Sequence, residues 1–231
     1  MLIFRTLRSN RSVRNYSVQN SWNATHVLFK HKEVSKNVYF IQEKYFEFSW
    51  NLANIFFIKV SLSLCAYHSI HTLQGSDCDL LVDTGVGLHS LPRYLSWAGL
   101  RPASGDPGSS VKPLHVVLTH CHFDHSGGAH QFPRVWAHTA EAEVTRSGDK
   151  FMTASWISGQ EVTPKPRDWS ARDYCVQPAH VTSLEEGHVF SLGDRELEVL
   201  HIPGMILFLN ITSMMCVTSG PRSLPGLHRC P

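Results

Sequence analysis

No two cysteines in this 231-residue chain are spaced as C-x-x-C; the six stand singly at 65, 78, 121, 175, 216 and 230. That spacing excludes a zinc ribbon and a thioredoxin-like redox pair. The chain also lacks a charge excess. Twenty-one Lys and Arg against 19 Asp and Glu leave a formal +2, with no reason to expect a nucleic acid as partner. Long apolar runs are missing too. The most apolar stretch, residues 52–67, carries Lys59 and is shorter than the roughly 20 residues of a membrane-spanning helix, so no transmembrane span is expected. No long apolar core follows the first positive charges, which argues against secretion. Acidic side chains are absent from the first 32 positions, where Arg5, Arg8, Arg11, Arg14, Lys30 and Lys32 stand unopposed.

Histidine is abundant, 15 in all, and three of the 15 fall within one run, Thr119-His120-Cys121-His122-Phe123-Asp124-His125, followed by Ser126-Gly127-Gly128. Neutral imidazole is the commonest biological metal ligand, and a neighbouring carboxylate suits hard or borderline cations such as zinc, manganese or iron. The apolar run at 114–118 reads as a buried strand that delivers this loop. In an extended segment His120, His122 and Asp124 share one face, and a turn after Asp124 brings His125 round to the same cavity. Four ligands exceed what one tetrahedral ion takes from a single loop. The expected division is His120 and His122 on one metal, Asp124 and His125 on a second, with paired ions about 3.5–4 Å apart. Cys121 alternates to the other face and reads as a packing residue.

Strands are expected at 37–43 and 53–58, an opening hairpin around an aromatic-rich turn. Residues 80–85, Leu-Leu-Val-Asp-Thr-Gly, form a second strand-to-loop junction that places Asp83 beside a flexible glycine; Asp83 reads equally as a simple turn or cap residue. A helix is expected over 91–98 with Pro92 in its first turn, and a surface loop over 101–112. A short helix at 126–132 stops at Pro133. A strand at 135–138 leads into a helix at 139–146 capped by Thr139. Residues 150–177 form an irregular, lid-like segment. Residues 189–192 and 196–201 make a hairpin about Gly193-Asp194.

The run at 119–128 resembles the metal-binding motif of the metallo-β-lactamase superfamily. Further segments resemble an acyl-coenzyme A thioesterase branch of it: 39–43, 51–55, 82–88, 138–143, 192–195 and 201–204. The resemblance covers 33–204 with an insertion near 59–76. It leaves 1–32 as a divergent, basic, disordered leader and 205–231 as a non-family tail. By composition the leader is similar to a mitochondrial presequence. Its arginines do not form one helical face, and the localisation expected is cytoplasmic or peripheral to membranes, with mitochondrial as the weaker alternative.

The resemblance implies an α/β fold, the αββα sandwich, and zinc, one or two ions, as cofactor. It implies hydrolysis of a thioester substrate such as acyl-CoA by a metal-bound hydroxide. His120, His122, Asp124 and His125 would be metal ligands, Asp124 would orient the hydroxide, and Asp83 would support the ligating imidazoles from behind. The chain departs from the pattern at Pro203-Gly204-Met205, where the family has Pro-Gly-His. A thioether does not replace imidazole on a borderline divalent ion. The later carboxylate and the last histidine of the motif are missing as well. The sandwich is therefore expected to be incomplete, its first half plus the start of the second, with the apolar face of the first sheet left bare. The alternative to an active hydrolase is a truncated, inactive isoform that binds metal weakly or acts through protein contacts.

Overall fold

The computed structural model describes residues 28–45, 55–59, 78–102, 112–160, 162, 169–192, 196–202 and 214–220, the last span as backbone. Seven strands form one sheet in sequence order: β1 (Phe29–Ser35), β2 (Val38–Glu43), β3 (Ile55–Ile58), β4 (Asp79–Val82), β5 (Leu114–Val117), β6 (Val135–His138) and β7 (Val181–Leu184). Strands β1 to β4 pair antiparallel; β4 to β7 pair parallel. A second sheet holds β8 (Val189–Ser191), β9 (Glu196–Ile202) and β10 (Met214–Gly220), in the order β10-β9-β8. Helices α1 (Leu91–Trp97), α2 (Phe123–Ser126) and α3 (Thr139–Ser147) follow β4, β5 and β6, with a 3-10 turn at Ala129–Gln131.

Alternation along each strand divides the apolar side chains between two cores. Ile55 and Phe57 of β3, Leu81 of β4 and Val116 of β5 pack with Leu91, Tyr94 and Leu95 of α1. Ile58, Leu80, Val82 and Val117 face the other way, against Phe190, Leu192, Leu197 and Val199. Every residue of β4 is buried. Its three apolar residues run consecutively, as in a central strand covered on both faces, and the buried Asp79 at its start pairs with Arg101 at 2.9 Å. The bare sheet face expected from the sequence is not what the described residues show. The β8–β9 hairpin lies over it and buries that second core. Each large apolar side chain so enclosed contributes about 1.5–3 kcal/mol.

Three local expectations are corrected. Strand β1 begins inside the stretch read as a leader, because Phe29 is buried and stacks on Tyr94 with ring centroids 4.9 Å apart. The helix at 126–132 is instead α2 inside the histidine run, then the separate 3-10 turn. The cap of α3 is His138, whose ring accepts the Ala140 N–H; Thr139 is the first helical residue. Strands β7 and β10 are additional, and β10 lies within the stretch read as a non-family tail. Residues 60–76 of the insertion expected near 59–76, and residues 1–27 of the expected leader, lie outside the described residues.

The parallel strands β4, β5 and β6 all end at one edge of the sandwich. They deliver the loops at 83–88, at 118–122 and at His138 there, the edge where open α/β sheets place their sites. At that edge His201 of β9 stacks on His138, ring centroids 4.1 Å apart and 15° between planes.

Candidate metal centre

Asp83 closes β4 in a left-handed conformation, φ +62°. An aspartate tolerates that region better than most side chains do. Its backbone N–H donates to Val117 O at 2.9 Å, which ties the loop to β5. Its carboxylate, 1% exposed, is fully engaged. Oδ1 accepts the Thr119 N–H at 2.7 Å, both oxygens accept the Thr119 hydroxyl, and Oδ2 lies 2.7 Å from His125 Nδ1. Asp83 is thus neither a cap nor a plain turn residue; it joins the first and last residues of the histidine run.

The next turn explains the paired glycines. A Cβ on Gly87, φ +76°, would stand 2.2 Å from Gly127 O, and one on Gly128 would stand 2.5 Å from Thr84 O. Backbone lies directly on backbone here, with Thr84 N–H donating to His125 O at 2.8 Å and Gly128 N–H to Gly85 O at 3.1 Å.

His120 is buried, its Nδ1 3.1 Å from the Thr119 hydroxyl and its Nε2 3.2 Å from His122 Nδ1. His122 is extended, φ −60° and ψ 148°, and α2 starts at Phe123. The chain therefore turns before Asp124, not after it. Asp124 reaches the others from a helical turn, where its Oδ2 lies 3.5 Å from His125 Nε2. The ring centroids of His120 and His125 are 4.0 Å apart, so the run does gather into one cluster.

Burial, and then the neighbouring rings of His125 and His122, pushes the His120 pKa down to about 2. His122 is lowered by burial and by His125. Both imidazoles are neutral at neutral pH, with lone pairs available. For His125 burial opposes the charge, but Asp83 outweighs it, aided by Asp124 and Glu43, and the pKa rises to about 9. Burial raises Asp124, against the pull of His125.

Three functional neighbours escape a reading of the sequence. Glu43 accepts the Val86 N–H at 3.1 and 3.0 Å through its two oxygens and the Tyr45 hydroxyl besides. Burial raises its pKa to about 7, against those hydrogen bonds and with the help of Asp124. Tyr174, from the lid-like segment, donates its hydroxyl to Val86 O at 2.8 Å. Glu141, in the first turn of α3, accepts the Cys121 N–H at 2.6 Å. Glu43 ends an alternating strand and Glu141 opens a helix, places where an acidic residue ordinarily faces water. Cys121 is buried with its thiol directed at Met152 O, as its packing role requires.

Two donors on one tetrahedral zinc, with bonds of about 2.0–2.1 Å, lie about 3.3–3.4 Å apart. The His120 Nε2–His122 Nδ1 separation of 3.2 Å and the Asp124 Oδ2–His125 Nε2 separation of 3.5 Å both suit that bite. Three nitrogens and a carboxylate are the donor set of a zinc-type ion. The fit is by pairs: among the described residues no three His, Cys, Asp or Glu side chains form a group that could hold a metal. Strand β9 ends at Ile202, and Pro203-Gly204-Met205 lie outside the described residues.

Residues 67–205 match the family model of the Metallo-beta-lactamase superfamily. The chain is 43% identical over 178 residues to the acyl-coenzyme A thioesterase MBLAC2 of Gallus gallus, covering 76% of this chain and 58% of that one. To the MBLAC2 of Homo sapiens it is 43% identical over 182 residues, with the same coverage of 76% and 58%. The chain thus spans about three-fifths of the length of the curated relatives it matches. Among solved structures it is similar to the Rm3 metallo-beta-lactamase, at 18% identity and a TM-score of 0.46, covering 82% of this chain and 56% of that one. A beta-lactamase domain protein from Burkholderia ambifaria gives 17% identity and a TM-score of 0.44, covering 87% of this chain and 55% of that one. The matched residues carry β4 to β9, Asp83 and the whole histidine run; sequence likeness and geometry fall on the same segment, and the chain belongs to the metallo-β-lactamase superfamily.

Proposed function

We propose that this chain carries the metal-binding half of a hydrolase for acyl thioesters of the acyl-CoA class. The observation that carries the reading is the arrangement of two donor pairs, at 3.2 and 3.5 Å, in one loop anchored by Asp83. His120 and His122 would hold one zinc-type ion, and Asp124 and His125 a second. Such ions supply Lewis acidity toward a carbonyl oxygen and acidify water, whose pKa falls to about 7 on zinc. The chain's own residues supply the rest. Asp83 accepts the Nδ1–H of His125 and so leaves Nε2 as the nitrogen that would bind a metal, in exchange for the proton that the ring holds up to a pKa of about 9. The Thr119 hydroxyl beside His120 Nδ1 leaves Nε2 of that ring to face His122. Asp124 places a carboxylate oxygen where it can hold a proton of the attacking water. The substrate class is that named for the MBLAC2 relatives.

Purified chain incubated with palmitoyl-coenzyme A and zinc should release free thiol, and His122→Ala should abolish the release. Bound metal at stoichiometric level without any zinc-dependent thiol would sink the hydrolase reading.

A second reading is metal binding without turnover. It is favoured by the absence of a third donor for either pair among the described residues, and by Met205 at the position where the family resemblance has histidine. Zinc retained after dialysis, together with no hydrolysis, selects it.

A further inference from the structure

Cys121 stands between His120 and His122, and each of its hydrogen-bonding groups is held by protein. Its N–H donates to Glu141 Oε2 at 2.6 Å, its carbonyl accepts the Ser126 hydroxyl at 2.7 Å, and its thiol donates to Met152 O at 3.7 Å. Two residues on, the Phe123 N–H donates to Thr153 O at 2.8 Å. Glu141 is 1% exposed and shares the buried stripe of α3 with Ala142 and Thr145.

A carboxylate so placed is expensive. Transfer of an ionised group out of water is unfavourable unless it is hydrogen-bonded, and an apolar side chain would pack α3 against β6 without that penalty. The carboxylate meets Cys121 twice, at its peptide N–H, 2.6 Å away, and at its thiol. A charge-assisted bond to a backbone N–H is short and strong, and it fixes the orientation of that peptide plane. Fixing the Cys121 peptide holds its thiol toward Met152 O in the core while the flanking imidazoles meet each other, His120 Nε2 and His122 Nδ1 3.2 Å apart.

We infer that Glu141 is a positioning residue: by holding the Cys121 N–H it turns His120 and His122 together toward the metal and keeps the soft Cys121 sulfur out of the ligand set. The inference rests on the metal reading above. It gives α3 a task that the superfamily match does not assign to it.

Cobalt(II) added to the full chain serves as the probe, with affinity read from its visible absorption and, separately, Cys121 amide exchange read in the metal-free protein. Partners of this kind change metal affinity by about 10–100-fold when removed. Glu141→Ala should weaken cobalt binding by that factor and speed exchange of the Cys121 amide. Glu141→Gln, whose amide oxygen still accepts the N–H, should recover most of both. Glu141→Asp, one methylene short, should behave as Glu141→Ala and serves in its place if the alanine variant does not fold. A lowered melting temperature with unchanged cobalt affinity and unchanged Cys121 exchange overturns the inference. So does a thiolate-to-cobalt charge-transfer band in the wild-type chain. If the wild-type chain binds no cobalt, the metal reading fails, and Cys121 exchange alone then decides the role of Glu141.

Discussion

Asp83 Oδ2 and His125 Nδ1 lie 2.7 Å apart, across 42 positions of sequence, and the same carboxylate also takes both donors of Thr119. One buried side chain therefore links the end of β4, the end of β5 and the start of α2. Asp83→Ala would leave three donors without their acceptor in a dry site, each worth about 1–3 kcal/mol. The expected loss is on the order of 3 kcal/mol or more in urea unfolding, with Asp83→Asn losing less. A loss below about 1 kcal/mol would mean that the loop stands without Asp83.

Gly87 and Gly99 both have positive φ, +76° and +67°, but only Gly87 lies against other backbone; nothing is within 4 Å of a Cβ on Gly99. Gly99→Ala should lose about 1–2 kcal/mol, the left-handed penalty alone. Gly87→Ala adds a clash with Gly127 O and should lose at least about 1 kcal/mol more. Thermal unfolding of both variants checks the order; equal losses would place the 84–88 loop farther from Gly127 than the fold has it.

The pH dependence of stability carries a mark of Glu43. Its folded pKa, raised to about 7 by burial, exceeds the ordinary glutamate value of 4.5. The folded state then binds the proton more tightly than the unfolded chain. The resulting stability is fully present below pH 4.5 and is lost as pH rises through 7. Unfolding free energy should fall across that window by an amount that disappears in Glu43→Gln. Parallel pH curves for the two proteins would remove Glu43 as the source.

Leu197 of β9 is 2% exposed and belongs to the core shared by both sheets. Leu197→Ala should destabilise by about 2–5 kcal/mol, as for leucines in other cores. A loss under about 0.5 kcal/mol, the size of a surface substitution, would show that the hairpin does not cover the first sheet.

The apolar cores of β4 (Leu80–Val82) and β5 (Val116, Val117) were legible because a strand buried on both faces carries apolar side chains at successive positions. The helix over Leu91–Trp97 was legible from Pro92 in its first turn, and the structure adds Ser90 as its cap. The histidine cluster was legible as composition, but its shape was not. Whether the chain turns before or after Asp124 depends on Gly127 and Gly128 meeting the 84–87 loop, a contact between segments 40 residues apart. The His138 cap was missed because histidine accepts an N–H only in one tautomer, which residue type alone does not reveal.

Residue chemistry and spacing thus determined which groups cluster after β5, the likeness to one superfamily, and the departure from it at Met205. Tertiary structure decided that Asp83 braces His125, that the buried Glu141 and the half-buried Glu43 are carboxylates of the loop network, and that β8 and β9 cover the first sheet. Local sequence encodes periodicity and donor type. The partners of a buried carboxylate are set by which distant backbone N–H groups the packed strands bring within hydrogen-bond reach, and only the folded chain specifies those.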